Sequence, residues 1–168
     1  QSGAKLSEYK TTFGVRRLRV DQKHFMLNDT PLFLRGTVEF GAFPLTGHPP
    51  TDPAEWERIL SIVQRYGLNH VRFNSWCPPE GAFAVADKLG VIFQVELPIA
   101  TKIDPKAHPE VVEFMRSEAA LIRQAYGNHP SFGFLSLGNQ MDAEWSVLDD
   151  LTREIKALDT RQLVTFNS

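Results

Sequence analysis

Seven polar or aromatic side chains lie where predicted buried strands end. They are Glu39, Asn74, Trp76, Glu96, Asn139, Gln140 and Asn167. Carboxylates accept hydrogen bonds from a ligand, amides both donate and accept them, and a carboxyl group can also transfer protons. Where the carboxyl ends of parallel strands meet at one mouth, such residues form the site of the chemistry. The sequence therefore predicts one polar site built from several strand ends.

The histidines and the cysteine do not form a metal-binding pattern. The five histidines lack the His-x-x-x-His spacing of a helical metal site, and only His48 lies in a loop where a ligand could reach it. The single cysteine, Cys77, excludes an intrachain disulfide and a multi-cysteine zinc site. Without an evident set of catalytic partners, Cys77 is interpreted as an inert thiol. We expect no metal and no cofactor.

The composition is that of an ordinary globular domain. The chain has 168 residues, 42% hydrophobic and 23% charged, with a formal net charge of -2. These values argue against a disordered tail, a collagen-like fibre and a coiled coil. The charge predicts no nucleic-acid partner. No apolar run approaches the roughly 20 residues that span a bilayer, so no membrane partner is expected. Residues 1–10 are interpreted as a tag remnant and linker.

The hydrophobic pattern predicts alternating strands and helices after a short hairpin. The hairpin comprises residues 15–20 and 25–27, connected by residues 21–24, and a further turn follows at Asn28 and Asp29. Apolar runs then predict five strands, at residues 32–38, 68–76, 91–95, 132–137 and 163–166. Helical periodicity predicts helices at residues 53–66, 80–89 and 109–126, and a last one that carries Trp145, Leu148, Leu151, Ile155 and Leu158. The tryptophans in helices, Trp56 and Trp145, are expected to pack in the core or between helices.

Apolar strands that alternate with helices indicate a parallel sheet covered by helices. Right-handed crossovers leave two closures, an open doubly wound sheet or a (β/α)8 barrel. A dinucleotide-binding sheet requires a glycine-rich loop after its first strand, and Gly36 stands alone there. The predicted fold class is therefore α/β, a partial (β/α)8 TIM barrel of about five parallel strands preceded by a short β hairpin. A complete barrel takes about 250 residues, so residues 11–168 are interpreted as its N-terminal portion. The open edge favours a homo-oligomer.

Four sets of residues follow the order and spacing of a known enzyme family. The first set is residues 11–16 (TTFGVR) and 27–36 (LNDTPLFLRG). The second is 66–72 (YGLNHVR) with 77–80 (CPPE), the third is 87–91 (DKLGV) with 95–98 (VELP), and the fourth is 127–131 (GNHPS) with 136–139 (SLGN). Together they resemble the catalytic barrel of family 2 glycoside hydrolases, the β-galactosidase, β-glucuronidase and β-mannosidase group.

The resemblance implies a retaining mechanism with two carboxyl groups about 5–5.5 Å apart. One protonates the leaving oxygen and then acts as base towards water, while the other attacks the anomeric carbon. The family's acid/base is the Glu of an Asn-Glu pair after strand four, which is Asn139 and Gln140 here. Glutamine has nearly the shape of glutamic acid but cannot give or take the proton. The family's nucleophile lies on strand seven, beyond Ser168, so we expect this chain alone to be inactive.

The resemblance assigns roles to Arg72 and Asn139, and position near a strand end suggests four more sugar-binding residues; each has a structural alternative. Arg72 matches an arginine that orients the nucleophile, or it forms a salt bridge inside the barrel. Asn139 binds the sugar 2-hydroxyl, or it forms a turn. Trp76 stacks against a sugar ring, or it packs at the barrel rim. Polar groups at three further strand ends contact sugar hydroxyls or stay in solvated loops: Glu39, Asn74 and Glu96.

The loop after the first strand departs from the better-known family members. Many β-galactosidases have a segment rich in His, Asn, Arg and Glu where this chain has residues 38–43 (VEFGAF). Gly41 stands where some of them hold magnesium with a Glu, so the resemblance supports neither a metal nor galactose specificity. Residues 40–48 instead resemble a subgroup of bacterial members that act on plant polysaccharides.

The sequence thus predicts a fragment of an O-glycosidase that acts on β-linked sugars, with carbohydrate as its partner and plant polysaccharide side chains as a candidate substrate. One alternative is a non-catalytic carbohydrate-binding relative in which Gln140 is natural; an engineered change at Gln140 also fits. Another alternative is a half-barrel that associates with a second copy. The sequence does not give the compartment, although the resemblance favours a periplasmic or secreted bacterial enzyme.

Overall fold

The structure, a computed structural model, describes residues 7–100 and 102–166 and begins with a three-stranded antiparallel sheet. Its strands are β1 (Leu18–Asp21), β2 (His24–Leu27) and β3 (Thr30–Leu32). The predicted hairpin is confirmed as β1 and β2. The chain also forms a third strand, because Asn28 and Asp29 both adopt positive φ and return it against β2. Residues 1–6 of the predicted tag remnant lie outside the described residues.

Strands and helices then alternate along the chain. In order they are β4 (Gly36–Glu39), α1 (Pro53–Arg65), β5 (His70–Phe73), α2 (Glu80–Leu89), β6 (Ile92–Glu96), β7 (Lys102–Ile103), α3 (Pro109–Tyr126), β8 (Phe132–Ser136), β9 (Asp142–Ala143), α4 (Trp145–Leu158) and β10 (Leu163–Thr165). All the predicted helices and strands are present. The short parallel pair of β7 and β9 was missed because two residues carry no hydrophobic period.

The strand order decides between the two predicted closures. The five-stranded sheet runs β10-β8-β6-β5-β4, and every neighbouring pair is parallel. A doubly wound sheet reverses its order at a switch point, and this order never reverses. Right-handed crossovers therefore place the helices on one face, as in a barrel wall. The partial (β/α)8 barrel is confirmed, with β4 and β10 at its edges; association through these edges stays a prediction.

The helix-facing side of the sheet forms the main core. Outward side chains of the strands meet the helices in one cluster, which includes Val71, Phe73, Phe93, Val95, Leu135, Trp56, Phe83 and Met115.

Asp52 caps α1 by accepting a hydrogen bond from the Ala54 backbone amide at 2.9 Å, and Pro53 follows it as the first helical residue. Trp56 is fully buried as expected, but Trp145 is 70% exposed, which corrects the expectation that it packs in the core or between helices. Among the described residues, no helix is long and apolar enough to cross a membrane.

The opposite face of the sheet is apolar at one end and polar at the other. Leu18 from the N-terminal sheet packs on Ile92 and Phe134 at the lower end, where Phe25 contacts Phe134 edge-on at 5.2 Å between ring centres. His70 lies in the same region, and its burial lowers the pKa of its imidazole. The N-terminal sheet therefore closes the lower end, and the polar residues gather at the carboxyl ends of the strands.

Candidate active site at the strand ends

An ion pair between Arg72 and Glu96 forms the centre of the polar end. Arg72 Nε donates to Glu96 Oε1 at 2.6 Å, and Arg72 Nη2 lies 3.4 Å from Glu96 Oε2. The Glu96 side chain is fully buried, whereas the Arg72 side chain is 21% exposed. Glu96 also accepts from the Ser75 amide at 3.0 Å and from Gln94 Nε2 at 3.3 Å. These bonds offset the cost of burying the charge.

The same guanidinium holds Asn139. Arg72 Nη2 donates to Asn139 Oδ1 at 2.7 Å. Because arginine carries only donors, the amide oxygen must face it, and the Asn139 NH2 becomes the end that offers hydrogen bonds elsewhere. The Asn139 backbone amide donates to Ile99 O at 2.9 Å. The backbone amide and the side-chain oxygen of Asn139 are therefore both fixed by hydrogen bonds.

The turn that carries Asn139 and Gln140 needs glycine at one position. Gly138 has φ 156°, and a Cβ there would lie 2.5 Å from Ile99 O and 2.8 Å from Met141 Sδ. Ser136 Oγ donates to Gly138 O at 2.9 Å and closes the turn from below. Gln140, with φ 48°, follows as an exposed residue. The turn therefore presents the Gln140 side chain to solvent beside the buried network.

Glu39, Asn74 and Trp76 form a second group. Glu39 Oε2 accepts from the Gly41 amide at 2.7 Å. The backbone oxygen of Glu39 accepts hydrogen bonds from the Asn74 backbone N–H at 2.8 Å and from Trp76 Nε1 at 3.3 Å. The Trp76 ring packs edge-on against Phe73 at 5.1 Å, within the layer between sheet and helices. The structure thus brings Arg72, Glu96 and Asn139 into one network and ties Trp76 to the loop after β4.

Two residues that support the network were missed from the sequence. Gln94 is the single polar residue in the run 91–95 (VIFQV), and its register beside Arg72 places it on the inner face. That break in an apolar strand was a usable signal. Ser75 contributes its backbone amide from a positive-φ conformation, at 58°, for which the sequence gives no signal.

The remaining candidates lie away from this network or outside the described part of the chain. Asn167 lies outside the described residues. In residues 7–100 and 102–166, no three His, Cys, Asp or Glu side chains are grouped so that they could hold a metal ion. Burial and then the charge of Glu118 raise the pKa of the Cys77 thiol to about 12. That thiol is therefore a poor nucleophile near neutral pH.

Solved structures with the same arrangement include several glycosidases. A β-glucuronidase from an uncultured Clostridium species matches 92% of this chain at 20% identity with a TM-score of 0.80. A family 2 β-galacturonidase from Eisenbergiella tayi, bound to galacturonate, matches 90% at 20% identity with a TM-score of 0.78. A glycosyl hydrolase family 2 member from Bacteroides cellulosilyticus matches 93% at 21% identity with a TM-score of 0.76.

The fold is that of part of a family 2 glycosidase barrel. This chain spans only 28%, 28% and 21% of the three matched chains, respectively. No protein-family model matches the sequence. No curated protein matches it either. The resemblance predicted from the four sequence segments is confirmed at the level of the fold, and the residue roles that it implies are proposals.

Proposed function

We propose that the strand-end network binds the sugar ring of a β-linked glycoside, and that the chain supplies the first five strands of a retaining family 2 glycosidase barrel. The observation that carries this proposal is the Arg72 bridge between Glu96 and Asn139. It fixes one amide donor at the carboxyl ends of the strands, where barrel enzymes bind their substrates. The likeness to family 2 glycosidase structures supports the proposal.

Each residue of the network has a separate role in this proposal. Asn139 donates from its NH2 group to the sugar 2-hydroxyl. Arg72 sets the orientation of Asn139 and orients the nucleophile carboxylate, which belongs to a later strand of the barrel. Glu96 is fully buried, so it acts as a positioning residue through Arg72 rather than by touching the sugar. Glu39, Asn74 and Trp76 shape the neighbouring rim of the mouth.

Gln140 occupies the acid/base position of the proposed site. It is exposed next to Asn139, where a Glu would reach the leaving oxygen of a bound glycoside. An amide can hold that oxygen by a hydrogen bond but cannot protonate it. This one residue favours a second candidate function, a non-catalytic protein that binds carbohydrate. Release of nitrophenol from a nitrophenyl β-glycoside by the wild-type gene product separates the two functions, because that step needs the nucleophile but no acid.

The names of the structural relatives suggest substrates to test first. They are two β-glucuronidases and a β-galacturonidase among others, so uronic acids join the plant polysaccharide side chains expected from the sequence. The probes are methyl β-glucuronide, methyl β-galacturonide, methyl β-glucoside and methyl β-galactoside. Binding of each to the gene product that contains this chain is measured by calorimetry.

The decisive variant removes the proposed donor. Asn139→Ala should weaken binding of the preferred methyl glycoside about tenfold, the value of one well-placed hydrogen bond. Gln124→Ala removes an exposed amide from the surface of α3 and should leave the affinity unchanged. Equal affinity in wild type and Asn139→Ala would refute the assigned site.

A further inference from the structure

Trp145 is a large apolar side chain with no place in the core. It is the first residue of α4 and is 70% exposed, whereas Trp56 is fully buried and Trp76 is half-buried. Exposing an indole gives up the free energy that its burial would contribute. An isolated exposed aromatic residue is common on proteins, so its surroundings decide whether it is a binding surface.

The indole is held in place by a second aromatic ring. Trp145 meets Phe166 edge-on, with 5.2 Å between ring centres and 90° between planes. Phe166 directly follows β10, and α4 begins after β8, so both rings lie towards the carboxyl ends of the strands. Trp145, Phe166, Ser146 and Asp149 line a cavity of about 300 Å³. An aromatic wall thus meets a hydroxyl and a carboxylate.

This cavity lies close in sequence to the proposed acid/base position. Only four residues separate Gln140 from Trp145, and within that segment β9 pairs with β7. The pairing anchors the segment to the connection after β6. Trp145 therefore follows Gln140 within the same connection between β8 and α4, at the carboxyl end of the sheet.

We propose that Trp145 and Phe166 form the platform for a second sugar ring, the one on the leaving-group side of a β-linked oligosaccharide. This inference rests on the proposed function. The apolar C–H face of a pyranose packs on the face of the indole, as apolar surface does on other aromatic rings. Ser146 Oγ and the Asp149 carboxylate hydrogen-bond to the ring hydroxyls. Asp149 also pairs with Arg153 on the same helix.

The test compares a one-ring ligand with a two-ring ligand. The preferred methyl β-glycoside and the matching β-linked disaccharide are titrated into the gene product that contains this chain. Wild type should bind the disaccharide about tenfold more tightly than the methyl glycoside. Trp145→Ala should abolish that ratio, and Trp145→Phe should keep part of it because an aromatic face remains. Tyr66→Ala removes an exposed ring at the end of α1 and should keep the full ratio.

Tryptophan fluorescence gives an independent readout. Disaccharide binding should shift the emission of wild type to shorter wavelength, because it covers the most exposed of the three tryptophans, and Trp145→Phe should lose that shift. An unchanged ratio in Trp145→Ala, with both ligands bound, overturns the platform but leaves the proposed function intact. Failure of wild type to bind any of the probes overturns both.

Discussion

One guanidinium group joins a buried carboxylate to the amide that would meet the substrate: Arg72 donates to Glu96 at 2.6 Å and to Asn139 at 2.7 Å. The three residues come from β5, the end of β6 and the turn after β8. The charge of Glu96, buried at the end of β6, therefore acts through Arg72 on a side chain that follows the neighbouring strand β8. Changes at Glu96 should consequently alter both the stability and the ligand site.

Glu96→Gln should lower the free energy of unfolding by about 3 kcal/mol, because it removes one partner of a largely buried ion pair. The urea midpoint should fall while the slope of the transition is unchanged. The same variant should weaken glycoside binding, because Arg72 no longer holds Asn139 in one orientation.

An exposed ion pair provides the control for Glu96→Gln. Asp150 and Arg153 pair on the surface of α4, where both side chains are more than half exposed, and Asp150→Asn should change stability little. If Glu96→Gln were as stable as wild type, the pair would contribute nothing to the fold.

Gly138→Ala should displace the turn that carries Asn139. The added Cβ would clash with the carbonyl oxygen of Ile99, and the backbone conformation also disfavours a side chain, so we expect a loss of about 1–3 kcal/mol. Gly90→Ala is the matched control, because Gly90 has φ 71° and open space around it. Both variants should lower stability, but only Gly138→Ala should weaken glycoside binding. Equal binding in the two variants contradicts the role of this turn.

His129 should make stability depend on pH. Its Nδ1 lies 2.6 Å from Asp87 Oδ2 and its Nε2 lies 3.1 Å from Glu80 Oε1. The hydrogen bond with Asp87 raises the pKa of His129 above its ordinary value, against the opposing effect of burial. A raised pKa stabilises the fold below about pH 6.5, the ordinary value for histidine, and that contribution is lost as pH rises through the folded-state pKa.

Asp87 gives the acid side of the same profile. Burial would raise the pKa of Asp87, but hydrogen bonds from His129 and Ser131 outweigh it and lower the pKa. Its contribution to stability is therefore present above about pH 4 and is lost as pH falls through the lowered pKa.

His129→Gln should flatten the decrease in urea midpoint between pH 6 and pH 8.5. His108→Gln, at an exposed pair with Glu110, should not; an unchanged profile in His129→Gln would exclude the cluster as its source.

Cys77 should react slowly with thiol reagents in the native protein. Its pKa of about 12, raised by burial and by Glu118, leaves almost no thiolate at pH 8. Labelling with a disulfide reagent should be slow in buffer and fast in urea, where the thiol regains an ordinary pKa of about 8.5. Rapid labelling without denaturant would show that the thiol is more accessible than the structure indicates.

The repeating elements could be predicted because each has a local cause. Asp52 and Pro53 begin α1, and Gly90, with φ 71°, ends α2. The apolar character of the strands indicated a parallel sheet before it was known which strands pair with each other. The strand order follows from the right-handed crossovers once a barrel is assumed.

The network itself could be predicted only in part. Arg72 and Asn139 came from a resemblance, and Glu96 from its place at a strand end. Their mutual contact depends on register across β5, β6 and β8, which no local pattern encodes. Trp145 was expected in the core or between helices because helical spacing gives the direction of a side chain only approximately. As the first residue of α4, it can project beyond the layer on which the helix packs.

The most direct test of the whole account is the hydrolysis of two glycosides by the gene product that contains this chain. The first carries a nitrophenyl leaving group, which departs without protonation, and the second carries a methyl group, which requires it. Gln140→Glu should raise kcat for the methyl glycoside about 10²–10⁴-fold, the usual contribution of general acid catalysis, and should change the nitrophenyl glycoside far less. Equal rates for wild type and Gln140→Glu on the methyl glycoside would contradict the account, because position 140 would then not be that of a catalytic acid.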